Sequence, residues 1–188
     1  MKEFTADSLK TLIAADAQDE AACRDHLTAV LGRLVPQTGI NLDAPRIEEP
    51  LRCGESDFII SGEFATSGRG ESRCAYLWEL KAPQCYVFRR DNNNRAKPSE
   101  DLIIAENQLL FFHDEVSGLE SFKTELDISD RDNIRLGGII IGCERRLAQG
   151  YQSPENTNAF RRAIRIRRKY FYDPLGIQLL TWDDVHQY

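Results

Sequence analysis

Glu79, Leu80 and Lys81 close the apolar run Cys74-Ala75-Tyr76-Leu77-Trp78, and Asp57 ends the polar lead-in to an earlier run, Phe58-Ile59-Ile60. A strand alternates its side chains between two faces, so Glu79 and Lys81 share one face while Leu80 takes the other. Leu80 can then enter a core while its neighbours point into a cleft. Holding part of a glutamate–lysine pair out of water at a strand end is costly unless something uses it. Two carboxylates and a lysine converging from neighbouring strands would form a divalent-metal site with its own cation, the equipment for cutting a phosphodiester.

That geometry requires a hairpin. Phe58-Ile59-Ile60 with Phe64 predicts one strand, the Ser-, Gly- and charge-rich Thr66 to Ser72 a turn, and Cys74–Lys81 the returning strand. Antiparallel pairing would put Asp57 and Glu79 near one end. Upstream, Asp16 to Leu34 predicts a helix with Ala22, Leu27, Val30, Leu31 and Leu34 apolar. Asp19 and Glu20 fall in its first turn, where the helix dipole favours acids, and Pro36 and Gly39 end it. A shorter helix over about Thr5 to Ala14 and an extended piece over Arg46–Pro50 flank it. Downstream, Gln84 to Ser99 reads as a long polar, Asn-rich loop. Ser99 then caps a helix whose buried stripe is Leu102, Ala105, Leu109, Phe112 and Val116, with Gln108 at the stripe's edge. Leu136–Gly142 is wholly apolar, as in a strand covered on both faces. A helix over Glu155 to Phe171, a break at Pro174 and Gly176, a strand over Ile177–Trp182 and a last turn at Asp183 complete the order. No repeat or linker divides the chain, which predicts one α/β domain over 1–188 with its core at roughly 16–188.

With 188 residues the chain has room for one domain with a sizeable core. No apolar stretch approaches the length of a membrane span, and Met1 to Thr5 lack a signal peptide's apolar segment, so a cytoplasmic protein without membrane contact is expected. Five scattered cysteines, Cys23, Cys53, Cys74, Cys85 and Cys143, lack zinc-site spacing and read as reduced thiols. The net charge of −6 argues against a surface that coats DNA everywhere. The basic residues are nonetheless clustered: Arg89, Arg90, Arg95 and Lys97 in one loop, and Arg161, Arg162, Arg165, Arg167, Arg168 and Lys169 in one late segment. Of these, Arg89, Arg90, Arg95, Lys97, Arg161, Arg165 and Arg168 are the candidate contacts to a nucleic acid.

This order of elements resembles the PD-(D/E)xK nuclease superfamily, with Ser56-Asp57 in place of Pro-Asp and Glu79-Leu80-Lys81 as (D/E)xK. It is most similar to the Shedu anti-phage defence nucleases, through Glu-Leu-Lys followed by Ala82-Pro83, Glu106-Asn107-Gln108-Leu109, the Gly138–Gly142 strand and the closing Ile177 to Val185. The likeness runs from about Asp16 to the C-terminus, as in a near-minimal nuclease domain. It implies a restriction-endonuclease-like core, a mixed central sheet flanked by helices. Asp57, Glu79 and the Leu80 carbonyl would hold Mg²⁺, with Mn²⁺ able to substitute, and Lys81 would orient or deprotonate the attacking water with a lowered pKa. Gln108 would align the lysine or the water. Glu20 would complete the metal site, a place for which Asp19 and Glu48 or Glu49 compete. The implied activity is Mg²⁺-dependent hydrolysis of nucleic acid, a DNA endonuclease in bacterial defence, with pairing of two copies a way to cut both strands. The alternatives are an idle binding or regulatory module on the same fold and a restriction or repair nuclease.

Each feature alone has a plainer reading. Most Glu-x-Lys triplets are solvated pairs, an aspartate before a strand is commonly a turn residue, and a glutamine at a helix edge commonly faces water. Their joint placement on the required elements carries the interpretation. His26, His113 and His186 share no ligand spacing, and neither a phosphate-binding glycine loop nor a Ser-His-Asp order is present. The late arginines predict a solvated face or a phosphate track, except Arg167, which falls among apolar positions and is expected to reach a buried carboxylate.

Overall fold

The two apolar runs pair as a long hairpin around which everything else is arranged. The computed structural model describes residues 6–15, 19–30, 32, 34–35, 39–51, 54–66, 70–91, 95–130, 133–148 and 154–186. In chain order they form α1 (Ala6–Ala14), α2 (Glu20–Asp25), β1 (Gly39–Leu42), β2 (Arg46–Leu51), β3 (Gly54–Thr66), β4 (Gly70–Leu80), β5 (Phe88–Arg90) and β6 (Ala96–Pro98). Then follow α3 (Glu100–Gly118), α4 (Glu120–Glu125), β7 (Ile134–Ile140), α5 (Pro154–Arg167), α6 (Asp173–Leu175), β8 (Gln178–Leu180) and α7 (Trp182–His186). The main sheet runs β1-β3-β4-β7-β8, with β2 also on β3. Pairing is antiparallel from β1 and β2 through β3 to β4, and parallel from β4 to β7 and β8. The fold is α/β, a mixed central sheet flanked by helices.

Alternation along the hairpin divides the core in two. Ile59, Ala75 and Leu77 face Leu102, Ala105, Leu109 and Val116 of α3, with Phe122 of α4 and Phe160 of α5 in the same cluster. Phe58, Ile60, Tyr76, Trp78 and Leu80 face the other way, onto Leu9 and Ile13 of α1, Cys23 of α2, and Trp182 and Val185 of α7. Burying each large side chain contributes roughly 1.5–3 kcal/mol. From Leu136 onward β7 is apolar because it serves both layers, Ile139 (with Ile141 just past its end) in one and Ile140 in the other. Its glycines admit Trp78: a Cβ on Gly138 would lie 2.6 Å from the indole and 2.4 Å from the Gln178 carbonyl oxygen.

Three expectations change. The helix expected over Asp16–Leu34 is helical only to Asp25 and then tightens into a 3₁₀ turn over His26–Ala29. β-branched Thr28 and Val30 and then Gly32 weaken its continuation; residues 16–18, 31 and 33 lie outside the described structure. The Gln84–Ser99 segment, expected as a long polar loop, carries the β5–β6 hairpin. Phe88 draws it in by stacking on Phe160 at 6.4 Å between ring centroids. The helix expected to reach Phe171 is α-helical to Arg167 and then makes a π-helical turn over Arg168–Tyr172. That turn inserts Tyr172 into the core. Ser99 caps α3 as its sequence predicts, its hydroxyl accepting from the Leu102 N–H at 3.0 Å.

Candidate active site

Asp57 and Glu79 meet because the hairpin register brings them together. Phe58 pairs with Trp78, so the next positions outward place Asp57 beside Glu79, on the face that Ile59 and Leu77 present to α3. Asp57 Oδ2 accepts from the Leu80 N–H at 2.8 Å. An extended residue directs its N–H and C=O to the same side, so the Leu80 carbonyl also points toward Asp57. The Leu80 side chain is fully buried on the opposite face. The Lys81 N–H donates to the Ile140 carbonyl at 2.9 Å, and the Trp182 indole donates to the Lys81 carbonyl at 2.7 Å. The backbone of the lysine is thereby fixed by two elements that sequence reading did not connect with it.

The Glu79 carboxyl is wholly buried. Its Oε1 accepts from Lys81 Nζ at 2.5 Å, while its Oε2 is buried and receives no donor among the described residues, the Asp57 carboxyl being its side-chain neighbour. Burial, followed by the neighbouring Asp57 charge, pushes Glu79 up to about 8, against the pull of Lys81. Glu20, at the first position of α2, is half-buried and lies within electrostatic reach of both Asp57 and Lys81, with a backbone hydrogen bond from Ala82. Burial and then Asp57 raise its carboxyl too. Of the acids competing for this place, Asp19 instead caps α2, accepting from the Ala22 N–H at 3.0 Å. The side chains of Glu48 and Glu49 lie outside the described structure.

Lys81 departs from expectation. Burial alone would lower its pKa, but Glu79, Asp57 and Glu20 together outweigh that and hold it above the ordinary lysine value. These acidic neighbours favour the protonated lysine, so the lowered pKa expected of Lys81 is not found.

A divalent cation would fit the donors at this strand end. Asp57, Glu79 and the Leu80 carbonyl supply hard oxygens, and Glu79 Oε2 is a buried oxygen beside Asp57 that receives no donor among the described residues. Among the described residues no three His, Cys, Asp or Glu side chains are gathered tightly enough to enclose an ion. Mg²⁺ suits so sparse a set because it keeps several waters.

Other candidates fall elsewhere. No hydrogen bond described for Asp57, Glu79 or Lys81 involves Gln108; it borders a surface groove with Ile104, Asn107, Phe111 and Phe112, its Oε1 buried with no partner among the described residues. Glu106, beside it, receives Arg167 and the Tyr172 hydroxyl, so Arg167 does reach a buried carboxylate. His113 Nε2 lies 3.0 Å from the Ile134 carbonyl oxygen, a packing role. Burial pushes the Cys85 thiol up to about 11 and the Cys23 thiol up to about 12, which excludes a ready thiolate beside the site.

The basic residues divide. Arg161 and Arg165 are exposed on one face of α5, and Arg168, in the π-helical turn that follows, donates to the Leu179 carbonyl at 2.8 Å. Arg162 turns instead toward the β5–β6 hairpin, where Arg95 and Lys97 face it across a cleft. Arg95 is also paired with Asp91 at 2.9 Å. Arg89 is exposed and Arg90 half-buried. No protein-family model matches the chain, and no curated protein matches it either.

Proposed function

We propose that the chain is a divalent-metal-dependent phosphodiesterase acting on nucleic acid, an endonuclease of the PD-(D/E)xK kind with DNA as its substrate. Similarity to the Shedu nucleases extends the proposal to anti-phage defence. The observation that carries it is the buried, half-satisfied Glu79 carboxyl between Asp57 and Lys81 at one strand end. Purely structural ion pairs do not leave a buried oxygen unpartnered without cost. A bound Mg²⁺ would lower the pKa of its water and offset charge on the leaving oxygen. Asp57, Glu79 and the Leu80 carbonyl would hold the ion, and Glu20 would add a fourth oxygen-bearing group nearby. Lys81 presents a protonated ammonium to the anionic phosphate, where it offsets developing charge.

The close pairing of Lys81 with Glu79 also favours a second reading, a nucleic-acid-binding module whose lysine stays engaged with its own glutamate. Incubating plasmid and single-stranded DNA with Mg²⁺ or Mn²⁺ separates the two. Wild type should cut, with Lys81→Ala and Asp57→Asn slower by roughly 10²–10³. Undiminished cutting by Lys81→Ala would remove the site from consideration, and binding without cutting under either metal would select the module.

A further inference from the structure

The cleft between the β5–β6 hairpin and α5 has a volume of about 610 Å³ and lies apart from the acidic cluster. Its walls carry Arg95, Lys97, Arg162 and Arg167 and, among the described residues, no carboxylate. Two of those charges are already used. Arg95 pairs with Asp91, and Arg167 pairs with Glu106. Lys97 and Arg162 are exposed and have no acidic partner among the described residues. Between them the floor is apolar, formed by Phe88, Pro98, Ala159, Ala163 and Ile166.

Two available cations above an apolar floor select an occupant with separated single charges and a flat apolar body. A duplex offers phosphates but keeps its bases stacked inside, so the floor would gain nothing from it. A nucleotide within a single strand matches both parts, because a singly charged phosphodiester lies on either side of a base that can leave the stack. A nucleoside di- or triphosphate would concentrate its charge at one end, which suits two cations on opposite walls less well.

We infer that this cleft seats an unstacked nucleotide of a single-stranded segment, with Lys97 and Arg162 on the flanking phosphodiesters and the base against Ala163, Ile166 and Phe88. The nucleic-acid nature of the ligand rests on the function proposed above, whereas the charge and shape of the cleft do not. The cleft is tied to the acidic cluster by the chain itself: Phe88 follows Lys81 by seven residues, a reach of at most roughly 25 Å. That connection is pinned, with Val87 N–H on the Arg146 carbonyl at 3.1 Å and Phe88 N–H on the Leu147 carbonyl at 2.9 Å. A strand held in the cleft would therefore have its backbone presented at a fixed distance from Asp57, Glu79 and Lys81.

The test is fluorescence anisotropy of the full chain with a labelled single-stranded oligonucleotide and with a duplex of equal length, in EDTA so that nothing is cut. Two variants are compared with wild type: Lys97→Ala/Arg162→Ala, which removes the cations, and Ala163→Trp, which fills the floor without changing charge. Each should weaken single-strand binding at least tenfold and leave duplex binding within about twofold. The cation variant should also flatten the salt dependence by roughly 1.4, at about 0.7 per released phosphate contact. Equal losses for single strand and duplex, or single-strand binding untouched by Ala163→Trp, would overturn the inference. So would competition by micromolar free mononucleotide, which would make the cleft a small-effector site. Circular-dichroism melts of both variants confirm folding, and the exposed cation pair keeps the test valid if the tryptophan is not tolerated. Because no cleavage is read, absent nuclease activity with cleft-dependent binding would sink the enzymatic proposal alone.

Discussion

Glu79 and Arg167 show how differently two buried ionic groups behave. Glu79 has one oxygen on Lys81 and the other beside Asp57 with no donor to receive, and burial with Asp57 nearby raises its pKa to about 8. A carboxyl raised above its unfolded value binds its proton more tightly in the native state. Its contribution to stability is therefore complete below about 4.5 and is lost as pH rises toward 8, with Glu20 acting in the same direction. Glu79→Gln mimics the protonated form, so the stability of the variant relative to wild type should climb across that window, by at most about 1.4 kcal/mol per pH unit. Urea melts at several pH values check this, and a difference that stays flat with pH would refute the raised carboxyl. Arg167 is different because its partner is satisfied: Glu106 receives both the guanidinium and the Tyr172 hydroxyl. Arg167→Met should cost about 3 kcal/mol by leaving Glu106 buried and uncompensated, and Glu106→Gln in the same chain should recover much of it. A double variant whose loss equals the sum of the two single losses would mean that the two residues are not coupled.

At the scale of elements, the two parallel strands behind the hairpin decide where the lysine sits. β7 can lie against β4 because Gly138 leaves room for Trp78, and its partner on the other side is Gln178 of β8. Gly138→Ala forces a methyl into contact with both, and overpacking of this kind costs about 1–3 kcal/mol. Since Lys81 hangs from Ile140 of the same strand, cleavage should fall along with the urea midpoint. A variant of wild-type stability would show that the strand can shift without strain. The hairpin, the Ser99 cap and the apolar stripe of α3 were legible from the sequence, because alternation, helical period and capping are local signals. The convergence of Asp57, Glu79 and Lys81 followed from the hairpin register, and a misplaced turn would have separated them. Glu20 reached the cluster across about forty residues, and only the family likeness suggested it. What local pattern could not give was tertiary: Trp182 on the Lys81 carbonyl, Phe88 pulling a polar segment into a hairpin, and the turning of Arg162 away from Arg161 and Arg165. The raised lysine pKa was hidden for the same reason, since it depends on how many carboxylates surround the ammonium rather than on burial alone.

For the whole molecule, an acidic chain with a net charge of −6 places three acids around one ammonium and two available cations, Lys97 and Arg162, at a cleft a short chain length away. Repulsion among the acids is a cost to the folded state that a divalent cation would relieve, so binding and stability should be linked. At a hundredfold excess over its dissociation constant an ion specific to the native state stabilises by about 2.7 kcal/mol. For a domain of this length that corresponds to a rise in melting temperature of roughly 5–10 °C. The ion must displace the Glu79 proton, so at a fixed subsaturating concentration the rise should be smaller near pH 6 than above the Glu79 value of about 8. Asp57→Asn should abolish it, while Lys97→Ala/Arg162→Ala should leave it intact because those cations serve the other site. Thermal melts with and without Mg²⁺ at the two pH values distinguish this from general salt screening, which would act equally on every variant. A rise that persists in Asp57→Asn would place the ion away from the hairpin end and detach the metal from Glu79.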